Sequence, residues 1–173
     1  TLDMRLSNSL GVTAADLLNS LSEKDIAKLI YEYSDEKMSR KIAREIVKTR
    51  SLTKIQTTKD LVEIINSVSY PGYERGRINP ATRTFQALRI VVNDEMENLK
   101  KSLPQAALLV LPGSVIILIT FHSLEDKVAK EFSRRARPSI KEVYEKPLRP
   151  SEEEIERNPR SRSAKLRVFR KNA

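Results

Sequence analysis

Residues 114–130, SVIILITFHSLEDKVAK, constrain this chain more than any other stretch. Residues 115–119 are apolar without a break and Phe121 follows Thr120, so the alternation of a half-exposed strand is missing. The run reads as a strand buried on both faces, as in a parallel sheet covered by helices. It leads into a polar turn holding the only histidine, His122, and then into a helix. In doubly wound sheets the pocket lies beyond the carboxyl ends of the strands. Here that end carries His122, Ser123, Glu125 and Asp126. A site is expected there, but the sheet needs other strands and this chain has few to offer.

Composition narrows the chemistry. Among 173 residues, 32% are charged and 5% aromatic, with no Trp, so the interior must be aliphatic. The absence of Cys excludes disulfides and thiolate metal sites, and a single His argues against a histidine-based metal centre. No apolar run reaches the length of about 18 residues that a membrane span needs, and the start, TLDMRLSNSL, lacks signal-peptide order. A soluble, cytoplasmic protein is expected. The net charge of +9 is unevenly placed: residues 1–126 carry a net +1 and residues 127–173 a net +8. A basic end of this kind suits a polyanion such as nucleic acid, or else a solvated tail.

Residues 13–68 read as short helices. Thr13 caps the first. Ser22 with Asp25 resembles a capping box ahead of Ile26, Leu29 and Ile30. Asp35 opens a third helix carrying Met38, Ile42 and Ile46, and Thr57 or Thr58 a fourth carrying Leu61, Ile64 and Ile65. These stripes read as packing faces. A loop follows at 69–79, and Asn79-Pro80 then starts a long helix that Pro104 restarts. The Pro112-Gly113 turn, the apolar strand and a helix over 124–136 complete a crossover unit of an α/β fold. Beyond it lie a short strand at Val143-Tyr144, an acidic helix over 150–157 and a last strand marked by Ala164, Leu166, Val168 and Phe169.

Five segments in order, TLDMR, NPATRTFQALRIVVNDE, PGSVIILITFHSLEDKVAK, KPLRPSEEE and NPRSRSAKLR, carry a resemblance to the RsmH (MraW) family. Its members are S-adenosylmethionine-dependent methyltransferases acting on the exocyclic N4 amine of a cytosine in small-subunit (16S) ribosomal RNA. The resemblance implies an α/β fold: the back half of a class I methyltransferase (Rossmann-like) sheet with an inserted all-helical subdomain. Residues 1–7 would be a remnant of the catalytic domain, 8–78 the helical, substrate-recognising insertion, and 79–173 the later part of the catalytic domain. It implies S-adenosylmethionine as cofactor and ribosomal RNA or the small subunit as partner, with no metal and no membrane. The family's glycine-rich cofactor turn would lie ahead of Thr1. This chain has four glycines, Gly11, Gly72, Gly76 and Gly113, and no G-x-G cluster. It is expected to be the later part of a longer protein, inactive alone and marginally soluble. The alternative is a non-catalytic RNA-binding or ribosome-assembly module. Ser7, Asn79, Pro112 and Lys127 depart from residues common in the family.

Methylating an amine requires positioning more than acid–base power. His122 and Ser123 are candidates for contact with the target base; the competing reading makes His122 a helix cap, and Ser123 with Asp126 also fits a capping box. Asp3 and Arg5 are cleft candidates by the resemblance, or an ion pair pinning the helical insertion. Arg160, Arg162, Lys165 and Arg167 are candidate RNA ligands because guanidinium forks suit phosphate; otherwise they pair with residues 152–156. Arg83 reaches phosphate or pairs with Glu74.

Overall fold

Short polar residues begin the helices of the amino-terminal half largely where their spacing predicts. In the computed structural model, which describes residues 1–70, 72–73 and 79–172, Thr13 opens α1 (Ala14–Ser20) through a capping box with Asp16. Ser22 caps α2 (Glu23–Ser34) by accepting from the Asp25 N–H, 3.1 Å. Thr57 and Asp60 box the start of α4 (Thr58–Val68). Asp35 departs from expectation. It does not open α3 (Ser39–Arg50) but ends α2 in the left-handed conformation, φ 53°, and Met38 precedes α3. A short polar side chain tolerates that conformation better than most.

The chain forms two compact units, Thr1–Glu95 and Met96–Ala173. In the first, α2 packs on α3 and on α5 (Ala81–Val92), and α3 on α4. The apolar stripes meet in one core, where Ile26, Ile30, Ile42, Ile46, Leu61 and Leu88 are almost wholly buried. Ala87 and Leu88 join that core, so the unit extends past position 78 to Glu95. The amino-terminal segment belongs here too. Leu2 is buried, its N–H donates to the Gln56 carbonyl at 2.8 Å, and the Ala14 and Ala15 N–H groups donate to the carbonyls of Asp3 and Leu2.

The long helix expected after Asn79 is two helices. Asp94 takes φ 49°, which breaks the run between α5 and α6 (Glu95–Leu109). Pro104 lies inside α6 instead of restarting it. Pro80, not Asn79, is the N-cap of α5, although the Asn79 side chain one residue earlier accepts from the Ala81 N–H at 2.9 Å. Residues 71 and 74–78 of the predicted loop lie outside the described residues.

The second unit corrects the reading of the apolar strand. β1 (Val115–Thr120) is not buried on both faces and has no parallel neighbour among the described strands. It forms the edge of a three-stranded antiparallel sheet ordered β1-β3-β2, with β2 at Ile140–Glu142 and β3 at Lys165–Lys171. Its ladder runs from Val115 opposite Arg170 to Thr120 opposite Lys165. α7 (Ser123–Arg135) covers one face of the sheet, and Phe132 meets Phe169 edge-on at 5.5 Å. On the other face no described residue of this unit covers Val115, Ile117 and Ile119, and Ile117 is 60% exposed. A continuous apolar run therefore marks a strand whose second face calls for a cover that these residues do not supply. β2 falls just before Val143-Tyr144, although the Val143 N–H still bonds the Val168 carbonyl at 2.8 Å. α8 (Glu152–Arg157) and a 3-10 turn at Pro159–Ser163 precede β3. No helix among the described residues is long and apolar enough to cross a membrane.

Candidate functional site

The turn after β1 is held by one acidic side chain. Glu125 accepts from the Phe121 N–H at 2.7 Å and the His122 N–H at 3.3 Å, while His122 Nδ1 accepts from the Glu125 N–H at 3.3 Å. His122 is thus the N-cap of α7, with Glu125 completing the box. The register lies one residue earlier than the Ser123–Asp126 box considered from sequence. Because Nδ1 accepts, the neutral ring carries its proton on Nε2, which lies 3.4 Å from Glu125 Oε1. Capping fixes the imidazole and leaves Ser123 exposed in the first turn of α7.

One turn further on, Asp126 is 4% exposed and organises the charges beneath the sheet. Arg167 Nε donates to Asp126 Oδ1 at 2.8 Å, and Lys130 and Lys165 approach Oδ2 at 3.1 and 3.3 Å. Arg167, itself 3% exposed, also donates through Nη1 to Glu142. Burial pushes the Asp126 carboxyl up, but hydrogen bonds from Arg167, Lys130 and Lys165 outweigh it and hold the group at about 2. Arg167 therefore differs from the expectation of a phosphate ligand. It is an interior cation with carboxylate partners, Asp126 and Glu142, and not the acidic residues of α8. Beside it opens a cavity of about 470 Å³ bordered by Lys130, Lys146, Arg149 and Lys165 and by the acids Asp126, Glu142 and Glu145. Arg160 and Arg162 stand exposed on the 3-10 turn, where Arg162 donates to the Pro159 carbonyl at 3.3 Å.

The remaining sequence candidates sit in the first unit. Asp3 and Arg5 form a two-pronged ion pair, Nε to Oδ1 at 2.7 Å and Nη2 to Oδ2 at 2.9 Å, and Arg5 also donates to the Leu10 carbonyl at 2.7 Å. The Arg5 side-chain bond holds the Asp3 carboxyl at about 2. Met4 between them takes φ 68°, and Asn93 clamps both sides of it by accepting from the Leu6 N–H and donating to the Met4 carbonyl. Arg83 donates to the Asp35 carbonyl at 3.3 Å; its alternative partner, Glu74, lies outside the described residues.

The structure therefore brings His122 and Ser123 together at one turn, Lys165 and Arg167 around Asp126, and Asp3 with Arg5. Sequence reasoning missed Asp126 and Glu142 as the partners of Arg167. The signal was available only in part: an acid in the first turn of α7 is visible, but its pairing across 41 residues depends on strand order.

Gly72 and Gly113 take positive φ, 81° and 84°, and Gly11 does not. A Cβ built on Gly11, Gly72 or Gly113 would meet nothing within 4 Å.

The model of the MraW methylase family matches residues 1–172. The chain is 48% identical over 170 residues to the ribosomal RNA small subunit methyltransferase H of Nostoc punctiforme, covering 98% of this chain and 56% of that protein. It is 48% identical over 172 residues to the protein of that name from Borreliella afzelii, with 98% and 57% covered. For the Synechocystis protein of that name the figures are 48% over 166 residues, with 96% and 53% covered. The chain spans about half the length of the curated relatives it matches.

Proposed function

The chain belongs to the MraW methylase family, and on that premise we propose that it forms the RNA-facing part of an enzyme moving a methyl group from S-adenosylmethionine to the N4 amine of a cytosine in small-subunit ribosomal RNA. The relatives' shared name supports the substrate class. The observation that carries the reading is the bare face of β1, a strand that matches the family throughout and yet has Ile117 and Ile119 open to water. In the proposal, the rest of the family's length supplies the strands and helices that cover this face, extending the three strands into a class I methyltransferase sheet. The turn after β1 then lies at the edge of the completed cleft. Ser123, exposed, and His122, fixed by its cap, stand there as base-positioning residues. Asp3 is a tentative third member, held by Arg5.

The four glycines of this chain form no G-x-G cluster, so the cofactor turn is proposed to lie in the part of the family's length that this chain does not span, and no step is derived through the cofactor. What the chain itself supplies is charge for RNA. Lys165 beside the cavity, Arg160 and Arg162 on the 3-10 turn, Arg83 and Arg5 are the proposed phosphate contacts. Arg167 supports them from the interior. A second reading is an RNA-binding or ribosome-assembly module without chemistry, for which the excess of eight positive charges over residues 127–173 would suffice.

One experiment separates the two. The chain alone, and the chain fused behind the part of the Nostoc punctiforme relative that it does not span, are incubated with small ribosomal subunits and methyl-labelled S-adenosylmethionine, and the RNA is digested to nucleosides. The proposal expects N4-methylcytidine from the extended protein only. RNA binding without methylation by the extended protein would favour the module.

A further inference from the structure

In the first unit, α2 and α3 enclose a groove of about 770 Å³ that none of the preceding roles uses. Its walls come from simple helical spacing. On α2, Lys24, Lys28 and Tyr31 fall at i, i+4 and i+7, beside the face that buries Ile26, Leu29 and Ile30. On α3, Arg40 and Arg44 fall at i, i+4, and Lys37 sits in the connecting turn. All five cations are exposed, with a single acid, Glu23, on the same lining. Their carboxylate partners are distant: Arg44 lies 3.8 Å from Glu23 and Lys28 3.9 Å from Glu32. Such exposed pairs hold their cations weakly and leave them available to an incoming anion. Tyr31, the aromatic residue of the groove, is 56% exposed.

We propose that this groove binds single-stranded RNA, with the Lys and Arg rows on the phosphates and a base stacked on Tyr31. The inference rests on the RNA-directed reading given above and assigns it a second surface. An i, i+4 pair sets charges about 6 Å apart along a helix, a spacing that follows a strand's backbone. An exposed ring in line with one cationic row and facing the same groove as a second is an arrangement by which single-stranded nucleic acid is held without sequence readout. The volume falls in the range of clefts that seat drug-sized ligands, roughly 300–1,000 Å³. A membrane surface fits less well, since the lining offers Ala27 and Tyr31 but no insertable aliphatic side chain.

The test measures fluorescence anisotropy of a labelled short oligoribonucleotide, single-stranded or annealed, against the 173-residue chain across a salt series. Circular dichroism checks that each variant is folded. Replacing Lys28 and Arg40 together by Gln should lower the salt slope by about 1.4, at about 0.7 per phosphate contact. Tyr31→Ala should weaken single-strand binding roughly tenfold, within the range measured for base–aromatic stacks, while Tyr31→Phe keeps it. Lys54→Gln with Lys59→Gln, two exposed cations outside the groove lining, is the control: binding that survives there but falls in the groove variants supports the groove whatever the methylation assay shows. Folded groove variants with unchanged slope and affinity would overturn it. So would equal binding of duplex and single strand with no effect of Tyr31→Ala, or competition by anionic vesicles that bind more tightly than the oligoribonucleotide.

Discussion

Replacing Asp126 with Asn keeps the shape of the side chain and removes the charge that Arg167, Lys130 and Lys165 share. Asp126 and Arg167 are 4% and 3% exposed, so solvent screens their interaction little. A carboxyl lowered from 3.8 to about 2 corresponds to roughly 2 kcal/mol of preferential stabilisation of the ionised form. The variant also leaves Arg167 buried with Glu142 as its remaining carboxylate. Breaking a buried pair costs about 3–5 kcal/mol, and the surviving Glu142 contact places the loss near 3 kcal/mol. Urea denaturation at neutral pH, followed by circular dichroism, measures it. The pH dependence gives an independent reading. The folded carboxyl titrates below its unfolded value, so between the two the unfolded chain binds more protons and stability rises with pH. The contribution is complete above about pH 4 and is lost as pH falls through about 2. Asp3 is lowered to a similar value, but it is common to both proteins and cancels in the difference curve. The wild-type minus variant difference should therefore shrink between pH 4 and 2. Adding Arg167→Met to Asp126→Asn should recover part of the loss. A cost below about 1 kcal/mol with a flat difference curve would refute the charge network as described.

Other perturbations test other parts. Thr57→Ala removes one side of a capping box and should cost about 1 kcal/mol by urea denaturation, with Thr57→Ser close to neutral. Ile117→Thr keeps a β-branched residue on the bare face; it should reduce binding of a hydrophobic dye and raise solubility, while stability shifts by less than about 1 kcal/mol. His122→Ala in the extended protein should cost about 1 kcal/mol of stability as a lost cap and reduce methyl transfer beyond that loss. His122→Asn restores the cap, so full recovery of turnover by Asn would reduce the residue to its structural role.

The helical unit was legible because its signals are local. Thr13, Ser22 and Thr57 each carry an acidic residue three positions on, and the apolar stripes at Ile26, Ile42 and Leu61 repeat at helical spacing. Asp94 misled because a helix-favouring pattern continues through it and only the left-handed backbone stops it, whereas Asp35 misled because a short acidic side chain suits the start of one helix as well as the left-handed end of another. β1 shows the opposite limit. Its unbroken apolar run reports burial in the environment that shaped the sequence, whereas the observed exposure of Ile117 reports which neighbours are present. Asp126 could not be matched to Arg167 from sequence, since their approach depends on β3 lying between β1 and β2. The order of motifs carried the family more firmly than any single residue did.

The division of labour proposed here, with RNA contacts in this chain and the cofactor cradle elsewhere in the family's length, is tested most directly by calorimetric titration of the 173-residue chain with S-adenosylmethionine. The expected result is no saturable heat. Tight binding at one cofactor per chain would contradict it.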